Sequence, residues 1–536
     1  MLKVEQWGWL LKQLLCSIVL FYGLNIVSSR ILYAEEVPVS ACVRLDQVSV
    51  NEHELFNEKQ QKNLFSQYIG QCIDGKILKA LVAGVSSFYM DRGYITTRAY
   101  LESQNIQDGQ IDISVLKGFT EAIVDADTKK SSAKIKTAFA FQKGEALNLR
   151  DIETALEMMN RPTSSQASFT IEPGSKAGSS VVEVKAKDST PYHLKLGVGG
   201  RKNLNDKNLY MTGEFLLDNP LNINDIFKVS YNGSRVQKAY QSNNGVEINY
   251  SFPIASYLLE VVGSDFSYRQ GVNGVNDTYL SSGDTQGVRV RLNKVLFRNQ
   301  KNKLNVALSV LHKNTKNYFV NQLIEVSSYR TSLAQADLTH TYVQSWGQLS
   351  STYSYYQGTD WFGARTDHYI SAETGAASQA KLQFIKHSLD TNLTYYFKDR
   401  NYKFNSNAHI QYSNDLLYDN DKLTVGSDYT VRGYSSFNLF GNNAWYVKND
   451  LSKTWQVNLM PSTLQSVSAS IGLDYGEVRC ERDNLSSCGS AVGTAVGLSS
   501  QGTHLHTNLV WSRPLKKINT TFKMENLFIF DATWEF

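Results

Sequence analysis

The 536-residue chain is long enough for more than one domain, and its 54 Lys+Arg against 50 Asp+Glu leave a net charge of +4, without the concentrated basic face that nucleic-acid binding needs. Aromatic residues make up 12%, with 30 Tyr and only 8 Pro, and mean hydropathy is −0.32. Past the N-terminus no apolar run reaches membrane-helix length, which excludes a helical membrane protein but suits a chain of strands, including strands that meet lipid on alternate side chains only.

The first segment reads as a secretory signal peptide over residues 1–34. Lys3 and Lys12 precede an apolar stretch from Leu14 to Val27, and the small residue Ala34 precedes Glu35 and Glu36. Of the five cysteines, Cys16 lies inside that signal. Cys42, Cys72, Cys480 and Cys488 remain, an even set whose members pair within each couple, Cys42–Cys72 and Cys480–Cys488, in an oxidising compartment. The second pair brackets a short loop and is expected to restrain that loop alone, away from any channel.

A small mixed domain follows over 40–120. Val43–Val50 reads as a strand and a polar helix precedes Cys72. Ile77, Leu81, Val85 and Phe88 share one helical face over Gly75–Met90, and Gly93 ends that helix. Thr97–Leu101 and Gln110–Val115 read as strands, giving the order β-α-α-β-β. A second, shorter copy is expected over 121–188. Its strand is placed at 134–143. A helix starts at the N-cap Asn148, with Leu149, Ile152, Leu156 and Met159 on one face, and strands follow near Ser168–Ile171 and Val181–Val184.

From 190 to 536 alternation replaces helical spacing. Val246-Glu247-Ile248-Asn249-Tyr250-Ser251-Phe252 alternates perfectly; Arg289 and Arg291 sit opposite Val288, Val290 and Leu292; Leu304–Val310 repeats the pattern. In the last segment Phe528, Phe530, Trp534 and Phe536 share one face, with Asp531 and Glu535 on the other. A membrane barrel strand shows lipid one face and a wet lumen the other, and its sheet must close because every backbone polar group at bilayer depth needs a partner. At roughly 21 residues per strand and connection the region holds about 16 strands, within the bacterial range.

No catalytic constellation emerges. There is no phosphate-cradling Gly-x-x-x-x-Gly-Lys-Ser/Thr, no Gly-x-Ser-x-Gly and no His-Glu-x-x-His. Gly197-Val198-Gly199-Gly200 reads as close strand packing, and His504 and His506 have no third metal ligand in view. No cofactor, metal site or enzymatic activity is therefore expected. Two segments draw notice for another reason: Val431-Arg432-Gly433-Tyr434 in a long loop, and Gly472-Leu473-Asp474-Tyr475-Gly476 in a strand-like stretch. An Arg on a loop and an inward Asp on a strand can pair inside a lumen.

With these residues in view, the chain resembles the two-partner secretion transporters, the hemolysin-activator and filamentous-hemagglutinin transporter group of the Omp85 superfamily. The resemblance rests on Tyr68-Ile69-Gly70-Gln71-Cys72, on the run from Met90 to Tyr100, on Val115-Leu116-Lys117-Gly118, on Leu147–Glu153 with Asn160-Arg161, on Val431-Arg432-Gly433-Tyr434, on Gly472-x-Asp474-x-Gly476 and on the terminal Phe536. It implies α+β periplasmic POTRA domains ahead of an all-β outer-membrane barrel of about 16 antiparallel strands. The POTRA domains would capture the N-terminal secretion domain of one exported protein. A loop held in the lumen by Arg432 and Asp474 would obstruct the pore, and Trp534 and Phe536 would be read by the barrel-assembly machinery. A monomer in contact with outer-membrane lipid, working without nucleotide, is implied as well. Seven residues, 35–41, separate the expected cleavage point from Cys42, too few for the plug helix that many family members carry. A barrel-assembly insertase of the same superfamily is the alternative; a diffusion porin would need no periplasmic domains.

Overall fold

The computed structural model describes residues 42–536 apart from 53, 142, 203–206, 237–240, 368–379, 435–437, 482–486 and 519–523. The expected signal peptide and the question of a plug helix lie outside these residues. The chain divides into a small N-terminal unit that runs to Val82 and includes Leu101–Ser114, and a large unit of Ala83–Tyr100 and Val115–Phe536.

The first small domain contains β1 (Gln47–Val50), α1 (Glu58–Phe65), α2 (Gly75–Asp91), β2 (Arg98–Leu101) and β3 (Gln110–Leu116), with sheet order β1-β3-β2. Helix α1 starts where the Asn57 side chain accepts from Gln60 N and the Gln60 side chain accepts from Asn57 N, a capping box that satisfies two donors the first turn leaves open. Asp74 Oδ1 does the same for α2, accepting from Lys76 N and Ile77 N at 2.9 and 2.7 Å. Every fourth residue of α2, namely Leu81, Val85 and Tyr89, is fully buried. That spacing is one helical stripe, and burying it is what holds a short helix in place.

The second domain repeats the order in full: β4 (Phe119–Asp125), α3 (Ala133–Ala138), α4 (Leu149–Met159), β5 (Ser165–Pro173) and β6 (Ser179–Asp188), with sheet order β4-β6-β5. The strand expected at 134–143 is a helix instead, and the strand lies upstream at Phe119–Asp125. Ser132 caps α3 by accepting from Ile135 N at 3.3 Å, and Ile135 and Ala138, three apart, are both buried. The apolar alternation of Phe139 and Phe141 directly after the helix mimics a strand, but both rings fold into the same core as Leu147, Ile152 and Val182. Asn148 caps α4 as expected, its side chain accepting from Arg150 N at 2.8 Å.

Sixteen long strands close into an antiparallel barrel: β7 (Tyr192–Lys202), β8 (Lys207–Asp218), β9 (Ile226–Val236), β10 (Ser242–Ile254), β11 (Tyr257–Asn273), β12 (Thr278–Arg298), β13 (Asn302–Phe319), β15 (Tyr329–Gln344), β16 (Gly347–Thr359), β17 (Ile385–Tyr396), β18 (Tyr402–Ser413), β21 (Ala444–Met460), β22 (Leu464–Val478), β23 (Gly489–Gln501), β24 (Leu505–Pro514) and β25 (Leu527–Glu535). The two-residue β14 (Gln322–Leu323) extends the β13–β15 hairpin. A small hairpin, β19 (Leu423–Val425) and β20 (Leu439–Gly441), belongs to the loop between β18 and β21. Closure pairs β25 with β7, from Phe528↔Lys202 to Glu535↔Lys195. At that seam the glycine cluster packs closely, as expected: a Cβ on Gly199 would meet the Tyr210 ring at 2.3 Å.

Alternation sorts the faces. On β22 Ile471 and Leu473 are 59% and 58% exposed while Asp474 between them and Tyr475 is fully buried. On β25 Phe528 and Phe530 point out while Leu527 is buried. An outward apolar band with a polar inside is the pattern of a lipid-embedded barrel. Among the described residues no helix is long and apolar enough to cross a membrane.

The second small domain docks on the turns at one end of the barrel. Arg161 Nη2 donates to Ser251 Oγ at 2.5 Å, Thr137 Oγ1 to Ile223 O at 3.1 Å and Asn224 Nδ2 to Lys134 O at 2.7 Å. Glu157 on α4 meets Arg298 Nη1 at 2.8 Å and also Lys303, on either side of the β12–β13 turn. Burial pushes the Glu157 carboxyl up, but the hydrogen bond and charge of Lys303, with those of Arg298, outweigh it and hold the group below its ordinary value. The connection between β18 and β21 leaves from the opposite end of the barrel.

Candidate functional site

The connection between β18 and β21, residues 414–443, does not stay outside. Its hairpin buries Val425, Val431, Tyr434 and Leu439 against Ala444, Val478 and Ala491 of the barrel wall. These seven apolar or aromatic side chains, four from the loop and three from the wall, have almost no exposure and supply the driving force for folding the segment inward.

At the tip, Arg432 is 8% exposed and Asp474 on β22 is fully buried. The guanidinium grips the carboxylate with both arms, Nε to Oδ2 and Nη2 to Oδ1, each at 2.7 Å. The Arg432 backbone N–H adds a third bond to Oδ2 at 3.0 Å. The remaining guanidinium arm donates to Asp450 Oδ1 on β21 at 2.7 Å, and Nη2 also reaches Asn449 O at 3.1 Å. A planar fork with five donors suits this geometry, and a lysine could not reproduce it. Asp450 was not singled out in the sequence. It faces Gly472 across the β21–β22 register, and only that register brings a second carboxylate to the arginine.

The strand motif is explained by space. A Cβ on Gly472 would meet Arg432 Nη2 at 2.1 Å, and one on Gly476 would meet Val425 and Val431 at 2.6 and 2.9 Å. Gly493 on β23, opposite Asp474 in the register, would meet Arg432 O at 2.0 Å. Glycine at these wall positions lets the loop backbone and the guanidinium lie flat on the sheet. Gly433 takes φ +96° where its own Cβ would strike the Arg513 backbone at 2.4 Å, a double reason for glycine at the tip. The Tyr434 hydroxyl lies 2.8 Å from Lys516 O and 3.0 Å from Val492 O, and accepts from Val492 N at 3.0 Å.

A second contact ties the same loop to the seam. Arg201 Nη2 on β7 lies 2.5 Å from Asp428 Oδ2, and Lys448 Nζ donates to Asp428 O at 2.9 Å. These groups line a polar cavity of about 1010 Å3 beside the loop, inside the barrel. Further lumen charges come in pairs; Arg291 Nη1 lies 2.6 Å from the buried Asp337.

Both cysteine couples pair within themselves: Cys42–Cys72 with Cα atoms 5.3 Å apart, and Cys480–Cys488 with 4.9 Å. The second does not sit apart from the channel. Glu481 beside it accepts from Asn442 Nδ2 at 2.9 Å and Asn443 Nδ2 at 2.5 Å, and Phe440 N donates to Ser487 O at 3.1 Å. The stapled loop thus grips the base of the inward hairpin. Sequence spacing could not show this, because it depends on β20 lying beside the β22–β23 connection.

At the C-terminus Trp534 stacks on His504 at 6.3 Å between ring centroids, and Phe536 is 65% exposed while its N–H donates to Leu194 O at 2.9 Å. His504 Nδ1 lies 2.8 Å from Glu535 O and His506 Nε2 3.8 Å from Glu535 Oε1, so this pair serves the terminal strand.

Comparison with known proteins agrees with this architecture. Residues 43–118 match the ShlB-type POTRA domain model and 120–173 a second POTRA domain model. The chain is 28% identical to the outer membrane transporter CdiB of Dickeya dadantii over 89% of its own length and 83% of the relative's. It is 27% identical to the hemolysin transporter protein HpmB of Proteus mirabilis over 86% and 80%. The solved structure of CdiB from Escherichia coli superposes with a TM-score of 0.82 at 26% identity, covering 99% of this chain and 97% of that one. The protein is placed in the outer membrane with its POTRA domains in the periplasm. Residues 178–500 match the model of the haemolysin secretion/activation proteins ShlB/FhaC/HecB, and the chain belongs to that family.

Proposed function

We propose that this protein secretes a single large exoprotein by two-partner secretion, a hemolysin or cytolysin, an adhesin or a contact-dependent toxin, and is not itself an enzyme. The carrying observation is the Arg432–Asp474 fork holding a folded loop inside a polar barrel lumen. The relatives named as a hemolysin transporter and as outer membrane transporters support the same reading. Two POTRA domains and the family match favour it over barrel-assembly insertion.

In this reading the POTRA domains bind the N-terminal secretion domain of the exoprotein in the periplasm. A sheet edge such as β5, which pairs on one side only, can add a strand of the client through main-chain hydrogen bonds. The client enters the lumen unfolded and folds outside, so no nucleotide is needed. For the passage to open, the loop must leave its seat, and Arg432 and Asp474 must separate in a medium where water and lumen charges can receive them. Until then the folded loop is the main obstruction to leakage. The protein acts as a monomer, and its last strand, ending at Trp534 and Phe536, is read by the barrel-assembly machinery during biogenesis.

Co-expression with a large exoprotein gene, should one lie beside its own, tests the proposal. The exoprotein is expected in the medium only when the transporter is present. Retention in the periplasm in the presence of well-assembled transporter refutes it.

A further inference from the structure

The outer wall of the barrel carries a cluster of cations that the secretion reading leaves unused. On β13 and β15 the outward side chains above the polar pair Asn302 and His340 are apolar: Leu308 is 58% exposed, facing Ala336, and Leu338 is 43% exposed. An apolar band about 25 Å tall crossed by tilted strands takes up roughly ten residues, so it ends near His312. At that level the short turn Trp361–Gly363 folds over the outside of the wall. Ser332 Oγ donates to Trp361 O at 2.7 Å, and the Phe362 ring lies 5.9 Å from the His312 ring. Trp361 and Phe362 are 47% and 68% exposed, and Phe362 takes φ 57°, a left-handed conformation that large side chains rarely adopt. Exposed aromatic rings at this height mark the interface between hydrocarbon and headgroups.

Above His312 and Ser332 lie Arg330, opposite Asn314, and Lys316, opposite Asp284 on β12, all on the same outward parity as Leu308 and Leu338. Both are exposed, and among the described residues neither has an ion-pair partner. The Arg330 guanidinium reaches the aromatic turn, 3.6 Å from where a Cβ on Gly363 would stand. With Arg365 these two cations line a pocket of about 400 Å3, bordered by one acid, Glu325. Arg365 is held by Val326 O at 3.2 Å and Tyr418 Oη at 3.1 Å and stacks over Tyr329 at 4.2 Å. Counting Asp284 opposite Lys316, three positive charges meet two negative ones at headgroup height, and the cations beside the interfacial aromatics complement a phosphate ester better than a neutral headgroup.

We propose that Lys316 and Arg330, flanked by Arg365, bind a phosphate group of the phosphorylated glycolipid in the outer leaflet, while Trp361 and Phe362 rest on its sugar–acyl boundary. Free phosphate would use the same cations but gain nothing from the aromatic turn.

The test uses the full-length protein in lipid nanodiscs, with native mass spectrometry reading the bisphosphorylated lipid A retained per barrel. Lys316→Ala/Arg330→Ala is expected to weaken retention about thirtyfold, one surface cation accounting for about fivefold. The near-isosteric Lys316→Gln/Arg330→Gln should lose as much, and Lys316→Arg/Arg330→Lys should keep it. Lys398→Ala/Arg400→Ala at a periplasmic turn should leave it unchanged. Heat-modified gel migration shows that each barrel is folded. Dephosphorylated lipid A should bind wild type and neutral variants equally weakly, and inorganic phosphate alone should not displace the lipid. Wild-type retention by both neutral pairs overturns the proposal. So does equal affinity of the wild type for lipid A with and without phosphate, and displacement by inorganic phosphate would assign the cations to the free anion instead.

Discussion

Replacing Arg432 with Ala leaves a carboxylate with no solvent exposure, Asp474, stripped of both side-chain donors that now grip it at 2.7 Å. It retains only the Arg432 backbone N–H at 3.0 Å and the Asn449 N–H at 3.3 Å. Asp450 loses its 2.7 Å partner at the same time. Breaking one side of a buried pair costs about 3–5 kcal/mol. Spread over the equilibrium between seated and released loop, this favours release by about 150- to 5000-fold. The barrel should survive, because the β21–β22–β23 ladder does not depend on the arginine. The expected outcome in planar bilayers is a marked rise in the open-channel fraction, with heat-modified gel migration unchanged and less exoprotein in the medium. Arg432→Lys should behave nearly as badly, since one ammonium cannot serve Asp474 and Asp450 through a planar fork. Wild-type conductance and wild-type secretion from Arg432→Ala would refute the assignment of this pair as the anchor of the loop.

Replacing Cys480 and Cys488 with Ser frees the loop that carries Glu481, so the hairpin base should loosen; faster hydrogen exchange at Phe440–Asn443 is expected, and exchange unchanged from wild type counts against that contact. Deleting Phe536 removes the N–H bond to Leu194 O and the terminal ring, and the amount of protein recovered in the outer membrane should fall while its transcript does not. The Glu157 carboxyl titrates lower in the folded protein than its ordinary value, so its contribution to docking is complete above the ordinary carboxylate range of about 4.3 and is lost as pH falls through the folded value. Hydrogen exchange in α4 should accelerate over that acid window in wild type and not in Glu157→Gln; identical profiles would contradict it.

Much of the fold was legible because period-two alternation over a polar-average chain has few other physical causes. The terminal strand illustrates this: Phe528 and Phe530 face out and Leu527 in, as the alternation of the sequence requires. Helix α2 was legible from Leu81 and Val85 alone. The misplaced strand at 134–143 shows the opposite case. Six residues are too few for helical periodicity to show, and the alternating Phe139 and Phe141 after α3 supply a false strand signal. Within the site, Arg432 and Asp474 were found as an arginine on a loop and an acid on a strand that can pair inside a lumen, and the family resemblance implied their pairing. Asp450, the Arg201–Asp428 contact and the grip of Glu481 were not found, since each arises from a cross-strand register or a loop packing that spacing along the chain does not encode.

The passage of client through the lumen is tested most directly by site-specific photocrosslinking of an exoprotein arrested midway in secretion. Probes are placed on the inward residues Arg289 and Arg291 and on the outward residues Leu308 and Val496. Crosslinks to the exoprotein at the two inward positions and none at the outward ones are the predicted result. Crosslinks confined to the POTRA domains, or appearing on the lipid-facing wall, would contradict it.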